Sequence, residues 1–202
     1  MKIYNYTKIP ISILSAVLKY AAKTVGLVLA DLNNISIVVT DRYDCSWTYR
    51  GRNPIYYTKK RYLKLWGDGT LSEITSGNYS EPWLELNLGS CIFTKRFIGF
   101  YDSGRIKNEK VLRDFLEGAE NIYKVAVHEF RHILDLRNKE IFDCSKKRHD
   151  DRPHEIRANM AMNLAVSRID KTSKCSEIIL NLGVALEEIY GVHKIVKLEK
   201  GV

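Results

Sequence analysis

Apolar positions along the chain fall into two rhythms. From Ile11 to Leu29, Leu14, Val17, Leu18, Ala21, Val25, Val28 and Leu29 recur at helical spacing, while Ser12, Ser15, Lys19 and Lys23 fill the opposite stripe. That period predicts an amphipathic helix beginning just after Pro10. Its two lysines argue against reading Ile9–Ala30 as a signal peptide, and no other run is apolar and long enough for a membrane span. Asp31–Asn34 reads as a turn, and the β-branched run Ile35–Thr40 as a buried strand. Short strands are expected at Ser46–Tyr49, Ile55–Tyr57 and Tyr62–Trp66, separated by turn signals at Gly51, Asn53-Pro54 and Gly67-Asp68-Gly69. Thr75–Glu81 reads as a loop, Trp83–Leu88 alternates like a half-buried strand, and Cys91–Phe100 is a further strand candidate.

The second half is helical in pattern. Val111–Leu116 suits a short helix. Asn121–Leu136 carries Ile122, Val125, Ala126, Val127, Phe130, Ile133, Leu134 and Leu136, so it is apolar nearly all round and expected to be buried. A polar connection, 137–152, leads to Pro153, a residue suited to a first helical turn. A helix is expected from there to Ile169, a break at Ser173–Ser176, a last helix over Glu177–Tyr190, and a terminal strand or tail at Val192–Leu198. With 202 residues and no internal repeat, the chain reads as a single domain.

Composition adds two points. Cys45, Cys91, Cys144 and Cys175 are scattered, with no C-x-x-C pair, which suits reduced thiols in a cytoplasmic protein. The net charge of +8 is concentrated at one end: residues 1–70 hold eleven basic residues against Asp31, Asp41, Asp44 and Asp68. Within the basic, aromatic stretch at about 42–70, Arg50, Arg52, Lys59, Lys60, Arg61 and Lys64 alternate with Tyr49, Tyr56, Tyr57, Tyr62 and Trp66. Such a mixture suits a polyanion: cations for phosphates and rings for stacking on bases, or an acidic peptide partner. The bland alternative is a solvated hairpin whose rings pack on the core.

The chemistry-bearing segment is His128-Glu129-Phe130-Arg131-His132. Histidines at i and i+4 share one helix face about 6 Å apart along the axis, a separation from which two imidazoles converge on one cation. Two histidines and an acid inside a buried helix are costly without compensation, and a metal supplies it. Glu129 is placed to take a proton from a water activated by one Zn²⁺ and pass it to a leaving group. A catalytic zinc takes a third protein ligand. The spacing alone leaves Glu155, His154, His149 and Asp135 open for that role, Asp135 also fitting an acid that orients a histidine ring from behind. Glu155 stands in the first turn of the next predicted helix, whose Ala158, Met162, Ala165 and Ile169 continue an inward face.

HExxH followed some twenty residues later by Glu155-Ile-Arg-Ala158-Asn159-Met-Ala161 resembles the gluzincin branch of zinc metallopeptidases, including the minimal bacterial and phage type that cleaves transcriptional repressors. The resemblance covers about residues 121–169. It implies an α+β, zincin-like fold in which an N-terminal helix and a small mixed sheet pack on the HExxH helix and a following third-ligand helix. It implies Glu155 as the third ligand, a protein or peptide substrate and peptide-bond hydrolysis. It also implies a Tyr or His from beyond the third ligand for the oxyanion, for which Tyr190 and His193 are available. Two readings of other classes are also compatible with these residues. One is a nucleic-acid-binding protein using the basic 42–66 surface, with a structural or vestigial zinc. The other is a non-peptidase amide hydrolase. No membrane partner is expected.

Overall fold

The computed structural model describes residues 1–40, 51–52, 83–88, 91, 108–138, 140, 148, 151–169 and 173–191. Among them the fold is α+β and mostly helical: β1 (Lys2–Asn5), α1 (Ile11–Thr24), a 3₁₀ segment (Leu29–Asn34), β2 (Ser36–Thr40), β3 (Gly51–Arg52), β4 (Trp83–Asn87), α2 (Asn108–Arg137), α3 (Pro153–Ile169) and α4 (Ser173–Tyr190). The sheet order is β1-β2-β4-β3. β1, β2 and β4 run parallel, with Ile3 opposite Ile37 and Ile37 opposite Leu84, and β3 pairs antiparallel with β4. A parallel pair requires a crossover, and α1 makes the one between β1 and β2. As the central parallel strand, β2 is buried on both faces from Ile37 to Thr40, as its unbroken β-branched run requires.

Pro10 precedes α1, which ends sooner than its apolar rhythm suggests. Gly26 adopts φ 92°, Leu27 N–H donates to the Ala22 carbonyl and Gly26 N–H to that of Lys23. This is a Schellman closure, which needs a residue free to take a left-handed conformation. Val28 and Leu29 therefore lie beyond the helix, and the expected turn at 31–34 belongs to the 3₁₀ segment. No break separates Val111–Leu116 from Asn121–Leu136: α2 runs unbroken through Gly118. Phe115, Ala119, Ile122, Ala126, Phe130 and Ile133 are fully buried at helical spacing across the polar interval. Packing of that stripe outweighs the roughly 1 kcal/mol that a mid-helix glycine costs.

α3 occupies the expected span, with Pro153 in its first turn. α4 begins at Ser173, inside the expected break, because Cys175 and Ile178 already face the core and Ser176 Oγ donates to the Ile169 carbonyl at 2.8 Å. β1 was not foreseen, and the Gly51 turn signal falls in β3. The expected strands at 46–49, 55–57 and 62–66, the loop at 75–81 and the segment 192–198 lie outside the described residues, as does the expected strand Cys91–Phe100 apart from Cys91, which is helical rather than extended.

α2 is the hub. It packs on α1, α3, α4 and β4. One face enters the apolar core with Leu84, Leu86, Leu182 and Leu186. The other, carrying Glu129, His132 and Asp135, is also buried. Ala158 and Ala165 of α3 are fully buried, and Met162 is half-buried. Small side chains on this face let α3 approach α2 closely. No helix among the described residues is long and apolar enough to cross a membrane.

Candidate metal centre

The i, i+4 spacing on α2 turns the His128 and His132 rings toward each other. Their centroids are 4.7 Å apart, with the planes nearly perpendicular, and the two Nε2 atoms are separated by 3.0 Å. From the first turn of α3, Glu155 brings Oε2 to 3.2 Å from His128 Nε2 and 3.4 Å from His132 Nε2. Ligand atoms of these three residues all lie within 4.8 Å of one another, and among the described residues they form a group that could hold a metal ion.

The triangle can be tested against coordination geometry. Bonds of 2.0–2.2 Å in a tetrahedral site put ligand atoms about 3.3–3.6 Å apart. The edges here lie at or a few tenths of an ångström below that range, so small side-chain rotations would seat a zinc-sized cation. The donor set, two imidazoles and one carboxylate, is one that zinc takes in catalytic sites. Two facing imidazole nitrogens and a carboxylate oxygen need a shared cation or proton between them in so dry a place. The His132 and Glu155 side chains are 4% and 7% exposed, whereas that of His128 is 17% exposed. Solvent therefore reaches the cluster from the His128 side.

Electrostatics point the same way. Burial by itself pushes the His128 pKa down. The hydrogen bond that the Glu155 carboxylate accepts from His128, the charges of Glu129 and Glu155, and the Asn159 side chain outweigh it and hold the pKa above the ordinary histidine value. The site attracts positive charge, as a metal centre must. Glu129 itself is buried next to His128.

Of the alternatives for third ligand, His154 is buried, with its ring 5.6 Å from that of His132 and its Nε2 3.7 Å from Glu155 Oε1. It lies beside the cluster, yet it is not one of the three converging donors. Burial, the largest influence, together with His132 and Arg152 holds its pKa below the usual value against Glu155 and Asp135. Asp135 is also outside the triangle. Its Oδ1 is 2.7 Å from Arg131 Nη2, and its Oδ2 accepts from Arg157 Nε at 3.0 Å. Arg157 Nη2 further donates to the Glu140 carbonyl at 2.9 Å. A fully buried carboxylate thus clamps two arginines, Arg131 on α2 and Arg157 on α3, and fixes α3 against α2.

Tyr190 lies in the apolar core at the end of α4. His149 and His193 lie outside the described residues, as do Arg50, Lys59, Lys60, Arg61 and Lys64. Of the basic set, Arg52 lies in β3. Sequence reasoning missed two features: the Arg131–Asp135–Arg157 clamp and the support of His128 by Asn159. Asn159 stands one helical turn after Glu155, so the spacing that singled out His132 would also have indicated it.

No protein family, curated protein or solved structure was found to match the chain.

Proposed function

We propose that this protein is a zinc-dependent metallopeptidase in which His128, His132 and Glu155 hold one zinc ion and Glu129 is the general base. The observation that carries this reading is the convergence of those three donor atoms at 3.0–3.4 Å, from two helices, beside a buried glutamate. One ligand helix packed on a small, largely parallel sheet, with the second ligand helix against it, is what a zincin-like fold would require.

A zinc ion in that triangle supplies Lewis acidity toward a water molecule and a substrate carbonyl. The chain supplies the rest. Glu129 accepts the proton of the attacking water and returns it to the departing amine. The exposed edge of His128 marks the side from which the scissile bond enters, while the closely packed α2–α3 surface keeps bulk water from the opposite side. The Asp135 clamp keeps Glu155 in register with the histidine pair. The substrate is a protein or peptide.

Glu129→Gln tests the chemistry. The zinc-loaded variant should keep its metal and lose about 10²–10⁴-fold in cleavage of an unfolded protein or a quenched-fluorescence peptide mixture. Wild-type rates in that variant, or no cleavage by the zinc-loaded wild type, would overturn the assignment. The nucleic-acid reading rests on residues 42–66, where only Gly51–Arg52 is described, and no geometry favours it.

A further inference from the structure

A groove with a volume of about 700 Å³ lies between α1 and the first half of α4, and no residue of the metal centre lines it. Its floor is apolar: Leu27, Leu32 and Ile178 are buried, and Ile13 packs against the same core. Its edge is cationic, with Lys19 and Lys23 on α1 and Lys174 on α4. Lys174 is paired with Glu177 at 3.0 Å. Lys19 and Lys23 are exposed and have no ion-pair partner among the described residues.

We infer that this groove binds a single-chain anionic amphiphile of the fatty-acid class, with its acyl chain on the apolar floor and its carboxylate at Lys19 and Lys23. Three features select this occupant. The volume falls within the 300–1,000 Å³ typical of small-molecule sites. The α1 wall from Ser12 to Lys23 is about 16 Å long at 1.5 Å per residue, so the groove is elongated. Polarity is divided along that wall. Ser12, Ile13 and Ala16 at one end carry no charge, whereas Lys19 and Lys23 occupy the other. One charged head and one apolar tail match that division. An acidic helix of a partner protein would distribute its charges along its length. Fixed positive charge next to a low-dielectric wall also attracts an anion more strongly than an isolated surface lysine does.

The test is titration calorimetry of the full-length, zinc-loaded protein with dodecanoate below its micelle concentration, alongside amide chemical-shift mapping. Dodecyltrimethylammonium is the charge-reversed control. One-to-one binding is expected, with shifts confined to Ile13–Lys23, Leu27–Leu32 and Lys174–Asn181. Lys19→Glu/Lys23→Glu should weaken dodecanoate at least tenfold and improve the cationic probe. Ala16→Trp, at an exposed position that leaves the core intact, should block both. The proposal is overturned by the absence of saturable dodecanoate binding, by equal binding in both variants, or by an acidic amphipathic peptide occupying the groove while dodecanoate does not.

Discussion

Replacing Asp135 with Asn removes one negative charge while keeping side-chain shape, and its effect can be worked from the clamp. The carboxylate is fully buried and serves Arg131 at 2.7 Å and Arg157 at 3.0 Å. Taking away one partner of a buried ionic group costs about 3–5 kcal/mol, because the remaining charge stays desolvated. The arginine side chains are 24% and 29% exposed, and Glu140 lies 3.6–3.7 Å from both. Water and Glu140 therefore recover part of the loss, leaving about 2–3 kcal/mol. Urea unfolding of the metal-free protein, followed by far-UV circular dichroism, should show that loss as a lower midpoint with an unchanged slope. Arg157→Gln should cost a similar amount, and the double variant should fall short of additivity by at least about 1 kcal/mol. Because the clamp ties α3 to α2, Asp135→Asn should also lower zinc affinity about tenfold, in the range for groups that support a ligand from behind. A change under about 0.5 kcal/mol, the size of an ordinary surface substitution, would refute the reasoning.

Further outcomes follow from the same packing and charges. In the metal-free protein the raised His128 pKa contributes stability that is full below the unfolded value of about 6.5 and is lost as pH rises through the folded value. Thermal melts in chelator should therefore shift down as pH climbs above about 6.5. Stabilisation by added zinc should grow over that window, because the metal must displace the same proton. His154, whose pKa is lowered, has the opposite sign and acts below about 6.5, where stability should fall with falling pH. Melts with no slope above pH 6.5 would remove His128 as the cause. Gly183→Ala should destabilise by about 1 kcal/mol despite the helix propensity gained. A Cβ there would meet Leu116 Cδ2 at 2.6 Å and Cγ at 3.3 Å. A raised melting temperature would contradict this close α2–α4 approach.

What could be read from the chain was local. The bounds of α3 follow from Pro153 and a face of Ala158, Ala165 and Ile169, and β2 from an unbroken β-branched run. The histidine pair is legible because its geometry is set by one helical turn. The misreadings have tertiary causes. Residues 117–120 fall between two expected helices until Phe115 and Ala119 are seen packed in one core with Ile122. Ser173–Ser176 looks like a breaker until Cys175 is buried. β1 is four residues long and exists because β2 offers an edge in parallel register. The convergence of Glu155 on the histidines, the burial of His154 and the arginine clamp all depend on how α3 meets α2, which no periodicity within either helix records.

The metal content of the purified protein, measured by elemental analysis after exposure to zinc and removal of excess, bears most directly on the account. Wild type and His154→Ala are predicted to retain about one zinc per chain, and His132→Ala and Glu155→Ala to retain almost none. A wild-type protein that comes through metal-free, or a His132→Ala protein that keeps its full complement, would contradict it.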